Sequence, residues 1–227
     1  MNAVEHSTIA DAITELGTRR AYAAGDLLFV EGERSHSAYV CVEGRIRIFL
    51  TTPSGRELLV GVKAPGDEFG ELSALDGRPR SASAAAIDRT VVATLPADRY
   101  LDLLLGAPHL SVAVCQSLSA ELRRANDRLV IRDSCSATVR TGRMLVELAS
   151  LMMRHSGEAD TYELPLTQTD LAGWIGATRE STARALARFR RAGFVRTGRG
   201  QIVVLDVLGL NDLVSAGRTA GPATTGF

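Results

Sequence analysis

Phe69-Gly70-Glu71-Leu72-Ser73-Ala74-Leu75-Asp76-Gly77-Arg78-Pro79-Arg80-Ser81-Ala82-Ser83 is the most chemically marked segment of the chain. Its glycines permit tight turns and close backbone approach. Glu71 offers a carboxylate that can accept from a pair of vicinal hydroxyls. Arg80 and Ser81 offer a guanidinium fork and a hydroxyl suited to a phosphate diester. An acid for a ribose and an arginine for a phosphate, in one loop with free backbone N–H groups, describe a nucleotide pocket. The plain alternative is a surface hairpin in which Glu71 and Arg80 form an exposed ion pair.

Outward from this stretch, short β-rich runs alternate with glycine turns. Leu27–Val30, Tyr39–Val42, Ile46–Leu50 and Leu58–Val62 precede it, and Val91–Leu95 follows. Turn signals at Gly25-Asp26, Glu31-Gly32, Glu43-Gly44, Ser54-Gly55 and Pro65-Gly66-Asp67 separate them. Many short strands at this spacing predict an all-β sandwich or barrel. A short helix is expected before it, from about Val4 to Leu16.

From Pro108 to about Asp133 the period becomes helical. Cys115, Leu118, Leu122, Ala125 and Leu129 are spaced three and four apart, and charged residues flank them. That pattern is a coiled-coil seam and implies a homodimer, a helix packed on its own β-domain being the alternative. A small, polar segment at 135–139 reads as a hinge. Beyond it, Arg140 to Met153 is amphipathic.

Thr167-Gln168-Thr169-Asp170 is a capping box that opens a short helix. Gly176 closes that helix, and Thr178 can cap the next, Arg179 to Ala192, which ends at Gly193. Two short helices around a tight turn form a helix-turn-helix. Phe194–Leu205 then reads as a β-hairpin wing. Thr182, Ala185, Leu186 and Phe189 make the inward stripe of the second helix.

Charge supports a nucleic-acid partner for this half. Residues 1–133 carry 15 basic and 18 acidic side chains, a net of −3, whereas residues 134–227 carry 11 and 8, a net of +3. Within Arg179–Arg199, seven arginines face only Glu180. A neutral chain with one basic element points to a localised DNA-binding face.

Other classes find little support. The three cysteines, Cys41, Cys115 and Cys135, form neither a metal pair nor a disulfide framework, and the four histidines are scattered. No metal, iron–sulfur cluster or haem is expected; His36 and Cys41 carry no mark of haem ligands. No nucleophile–base pair or phosphate loop indicates an enzyme. No signal peptide or membrane-length apolar run is visible, so a cytoplasmic protein without a membrane partner is expected.

The opening stretch resembles the phosphate-binding cassette of cyclic-nucleotide-binding domains. The matching positions are Gly70, Glu71 and Leu72 at its start and Arg80, Ser81 and Ala82 at its end. The resemblance implies that Glu71 binds the ribose hydroxyl and that Arg80 and Ser81 bind the cyclic phosphate. Polar residues of the long helix contact the base in that family. Those positions fall on Ala125 and Asn126, and only Asn126 can read a base edge. The order of cassette domain, long helix and winged helix-turn-helix is similar to the CRP/FNR superfamily of transcription regulators.

That resemblance implies an α+β chain. A cyclic-nucleotide-binding β-roll is expected over 1–107, a dimerisation helix over 108–134, the winged domain over 140–209 and a flexible tail over 210–227. The effector implied is cyclic AMP, with cyclic GMP as a second choice. Arg179, Glu180 and Arg184 match the family's base-reading triad. Arginine forks pair with guanine and glutamate accepts from cytosine. A TGTGA-like palindrome is therefore the implied operator, and RNA polymerase a partner if the protein is an activator. Thr178, Arg188, Arg190, Arg191 and Arg199 are the expected phosphate contacts. A member that needs no ligand, or senses another small molecule, is the alternative.

Overall fold

The computed structural model describes residues 8–34, 37–55, 57–156 and 161–216. His36 lies outside the described residues. The chain divides into two compact units, residues 1–125 and 126–227.

The first unit opens with α1 (Ile9–Leu16), capped by the Thr8 side chain. Eight strands follow: β1 (Thr18–Tyr22), β2 (Leu27–Phe29), β3 (Ser37–Glu43), β4 (Ile46–Thr51), β5 (Glu57–Lys63), β6 (Glu68–Phe69), β7 (Ser83–Ala86) and β8 (Thr90–Pro96). A one-and-a-half-turn helix, α2 (Glu71–Asp76), sits between β6 and β7, and α3 (Ala97–Gly106) follows β8. The long helix α4 (Pro108–Ser134) begins in this unit.

The strands form two antiparallel four-stranded sheets, ordered β1-β8-β3-β6 and β2-β7-β4-β5. Strand alternation puts Cys41, Phe69 and Val92 of one sheet against Phe29, Ile46 and Ala84 of the other, which makes the inner core. The opposite face of the first sheet carries Ala38, Val40, Ala93 and Leu95. It is covered by Ile13, Ala74, Tyr100, Leu104, Leu110 and Val114 from the helices. The all-β expectation is therefore incomplete, because α2 and α3 form part of this covering layer. Leu101 and Leu105 of α3 remain exposed, which blurs the apolar period that would have marked the helix.

The second unit holds the rest of α4, then α5 (Ala137–Ser156), β9 (Tyr162–Leu164), α6 (Gln168–Trp174), α7 (Arg179–Arg191), β10 (Val195–Gly198), β11 (Gln201–Val204) and α8 (Val207–Ala216). Only Cys135 and Ser136 separate α4 from α5, a shorter break than the expected 135–139. The wing is a three-stranded sheet, β10-β11-β9, with Val195 paired to Val204 and Ile202 to Leu164.

The expected flexible tail from 210 needs correction over its first residues. Residues 207–216 form α8, whose Leu210 and Val214 are buried. Residues 217–227 lie outside the described residues. Gly142 of α5 makes room for this helix, since a Cβ there would stand 2.2 Å from Val214 Cγ1 and 3.1 Å from Phe189 Cζ. Glycine at that point lets α7 and α8 close on α5.

Candidate functional site

The cassette residues are gathered around α2. Gly70 caps that helix with φ 71° and ψ 9°, a left-handed conformation that favours glycine. Glu71 follows as the first helical residue and is 6% exposed; Arg80 returns beside Gly70 and is 2% exposed. With both groups buried, the exposed-ion-pair reading of Glu71 and Arg80 does not hold. Ala82 is buried, while Leu72 and Ser81 are exposed.

Arg80 is held on four sides. Its Nη1 donates to Gly70 O at 2.6 Å and its Nη2 to Ser37 O at 2.9 Å. Its guanidinium carbon lies 4.2 Å from the Phe29 ring centroid and 5.1 Å from that of Tyr39. Tyr39 in turn stacks on Phe69 at 5.3 Å. The backbone of Arg80 is also pinned, its N–H donating to Glu33 O and its carbonyl accepting from Gly32 N–H, each at 2.9 Å. Burial lowers the guanidinium pKa, and the nearby Tyr39 and Glu71 counter it. A buried cation surrounded by ring faces and carbonyls is a preorganised anion partner.

Burial likewise pushes the Glu71 carboxyl up, against a hydrogen bond from its own backbone and the charge of Lys63. Lys63 of β5 is ion-paired with Glu121 of α4. The aromatic enclosure of Arg80 and the Lys63–Glu121 pair escaped sequence reading. Alternation along β2, β3 and β6 carried a signal for the rings; nothing in the spacing joins residue 63 to 121.

On α4 the seam residues Cys115, Leu122, Ala125 and Leu129 are exposed, with Leu122 at 64% and Leu129 at 67%, and Leu118 is half-buried. Asn126 is exposed. Large apolar side chains this open on a charged helix form an exposed apolar stripe.

The second unit presents the basic face. The Thr167 side chain accepts from Asp170 N–H at 3.1 Å and the Asp170 carboxylate accepts from Thr167 N–H at 2.8 Å, completing the capping box of α6. Gly176 turns the chain, and Thr178 caps α7 by accepting from Ser181 N–H at 3.2 Å. Thr182, Ala185, Leu186 and Phe189 are buried. That packing leaves Arg179, Glu180, Arg184 and Arg188 exposed along the other side of α7.

Hydrogen bonding to its own backbone and to Thr178 holds the Glu180 carboxyl below the usual carboxylate range, so it is a ready acceptor. Thr178, Arg190, Arg191 and Arg199 are exposed as well. Two of these arginines also brace the fold: Arg190 donates to Thr197 Oγ1 of the wing at 3.4 Å, and Arg191 to Ala187 O at 3.3 Å.

A cassette-bearing β-roll followed in the chain by a winged helix-turn-helix defines a class of transcription regulators, and known proteins match it part by part. Residues 19–106 match the cyclic nucleotide-binding domain family, and residues 139–213 match the Crp-like helix-turn-helix domain. The CRP-like cAMP-activated global transcriptional regulator of Mycobacterium tuberculosis is 31% identical over 203 residues, covering 89% of this chain and 90% of that protein. The cyclic AMP receptor protein of Thermus thermophilus is 31% identical over 198 residues, covering 86% and 87%. The solved structure of FixK2 from Bradyrhizobium japonicum superposes with a TM-score of 0.74 at 25% identity, covering 87% of this chain and 96% of that one.

The chain belongs to the CRP/FNR family of transcription regulators. It is a DNA-binding regulator rather than an enzyme. Among the described residues no single helix is long and apolar enough to cross a membrane.

Proposed function

We propose that this protein is a cytoplasmic, homodimeric, sequence-specific transcription regulator gated by a cyclic nucleotide, cyclic AMP first and cyclic GMP second. The observation that carries the reading is the joint burial of Glu71 and Arg80 at the two ends of one cassette loop. An enclosed carboxylate and an enclosed guanidinium suit the ribose hydroxyl and the phosphate of one small ligand. Gly70, Leu72, Ser81 and Ala82 shape the loop, and Asn126 supplies a base contact. The exposed stripe Leu118, Leu122, Ala125 and Leu129 is the dimer seam.

In DNA, Arg179 and Arg184 read guanines and Glu180 accepts from a cytosine amine, in each half of a TGTGA-like palindrome. Thr178, Arg188, Arg190, Arg191 and Arg199 hold phosphates and add affinity without sequence information. RNA polymerase is a further partner if the protein activates. The ligand acts only through unequal affinity for two arrangements of the dimer, so DNA must tighten nucleotide binding by the same factor.

A second reading, a regulator that works without a cyclic nucleotide, draws on two observations. Ala125 offers no polar group to a base, and the Arg80 donors already serve Gly70 O and Ser37 O. Calorimetric titration with cyclic AMP and cyclic GMP separates the two, run on wild type and Arg80→Ala, with and without a TGTGA palindrome. Binding that is lost in Arg80→Ala and tightened by DNA supports gating. DNA binding with no heat from either nucleotide supports the second reading. Sedimentation of Leu122→Glu tests the seam, which predicts a monomer.

A further inference from the structure

Glu68 is a half-buried acid that the ligand and DNA readings leave unused. In β6 it pairs with Val40 of β3, so it points away from the inner core toward the layer built by Tyr100, Leu104, Leu110 and Val114. Its Oε1 is buried without a hydrogen-bond partner. The fully buried Tyr100 hydroxyl is close enough to interact with the carboxyl, yet neither it nor Oε1 completes a hydrogen bond.

The charged and titratable groups around it come from four elements: Tyr100 from α3, Glu71 from α2, Lys63 from β5 and Glu121 from α4. Lys63 is the chain's only lysine, and its Nζ donates to Glu121 Oε1, joining the second sheet to the long helix. Glu121 thus holds the ammonium directly, and Glu68 and Glu71 lie within its electrostatic reach. An extra buried negative charge there is costly unless that ammonium is shared.

We propose that Glu68 is a proton-binding switch in the sensor unit. With the proton on, Lys63 is committed to Glu121 and ties β5 to α4. With the proton off, the Glu68 carboxylate draws on Lys63 and the tie to α4 loosens. The inference goes beyond nucleotide gating and needs no nucleotide. Burial pushes the Glu68 carboxyl up to about 7; Glu71 and Glu121 add to the rise, and Tyr100 and Lys63 oppose it. For a carboxyl raised above its unfolded value, the stabilisation is complete below that unfolded value and is lost as pH rises through the folded one. The window therefore runs from the ordinary carboxylate range to neutrality.

The test uses the full-length, ligand-free protein. Urea unfolding is followed from about pH 5.5 to about 8.5 for wild type and Glu68→Gln. The wild-type folding equilibrium should weaken about thirtyfold relative to the variant over that range. Parallel profiles would overturn the proposal. Infrared spectra should show a protonated-carboxyl band at acidic pH that disappears above neutrality and is absent from Glu68→Gln. A band that persists in Glu68→Gln and vanishes in Glu71→Gln would move the proton to Glu71 and overturn the assignment.

Amide exchange in α4 around Glu121 should be faster in wild type than in Glu68→Gln above neutrality, and equal at acidic pH. Equal rates at both would refute the tie. Should Glu68→Gln fail to fold, Glu68→Leu carries the same comparisons.

Discussion

Two glycines bracket α2 with nearly the same backbone, Gly70 at φ 71°, ψ 9° and Gly77 at φ 69°, ψ 9°. Their surroundings differ. A Cβ on Gly77 meets nothing within 4 Å, whereas one on Gly70 would lie 2.7 Å from Arg80 Nη1 and 3.0 Å from Tyr39 Cδ2. Alanine at either position bears the left-handed penalty of about 1–2 kcal/mol. Gly70→Ala also pushes Nη1 off its 2.6 Å bond to Gly70 O, and a hydrogen bond from a charged group is worth about 1.5–3 kcal/mol. Gly77→Ala should therefore lose about 1–2 kcal/mol, and Gly70→Ala about 2.5–5 kcal/mol. Urea denaturation of both variants at neutral pH measures the difference, and nucleotide titration should show weaker binding for Gly70→Ala alone. Equal losses of stability would refute the view that Arg80 is seated by the Gly70 carbonyl.

The remaining predictions probe other parts of the chain. Phe189→Ala empties a fully buried position against α5 and should cost about 3–5 kcal/mol in thermal or urea unfolding, while Arg184→Ala, on the exposed side, should weaken operator binding by about 1–3 kcal/mol and relax specificity at one guanine in a mobility-shift assay, at unchanged stability. Thr167→Ala removes the α6 capping box and should cost about 1 kcal/mol in urea unfolding. Native alkylation followed by mass spectrometry should label Cys115 quickly in the Leu122→Glu monomer and slowly in the wild-type dimer. Cys41 should stay unlabelled, because it is enclosed and burial pushes its thiol up to about 12.

The motif-bearing loops and strongly periodic helices were legible from residues alone. Thr167–Asp170 and Thr178 mark helix starts through local hydrogen bonds, and the stripe of α7 announces its buried side by its own spacing. Strand β7 has no local signal, because Ser83-Ala84-Ala85-Ala86 has weak intrinsic strand preference; it is a strand because β2 and β4 pair with both its edges and its residues are buried. Helix α2 leaves no period in the sequence, because six residues between glycines fall below the length at which one shows. Helix α8 depends on the small side of α5 at Gly142, a tertiary cause with no local signature. The same holds for the cassette, where Glu71 and Arg80 were visible as types. Their burial, the rings on Arg80 and the acid group around Lys63 arise from strands distant in sequence.

The enclosure of Arg80 has a consequence for how the two halves answer dissolved ions. Counterions screen exposed charges over about 10 Å at 0.1 M salt, and the arginines of α7 stand in that solvent. Their hold on DNA should weaken steeply as ionic strength rises. Arg80, shut between Phe29 and Tyr39, has almost no contact with the ion atmosphere. Added potassium chloride should therefore silence the proposed DNA contacts of α7 while leaving Arg80 at nearly full strength.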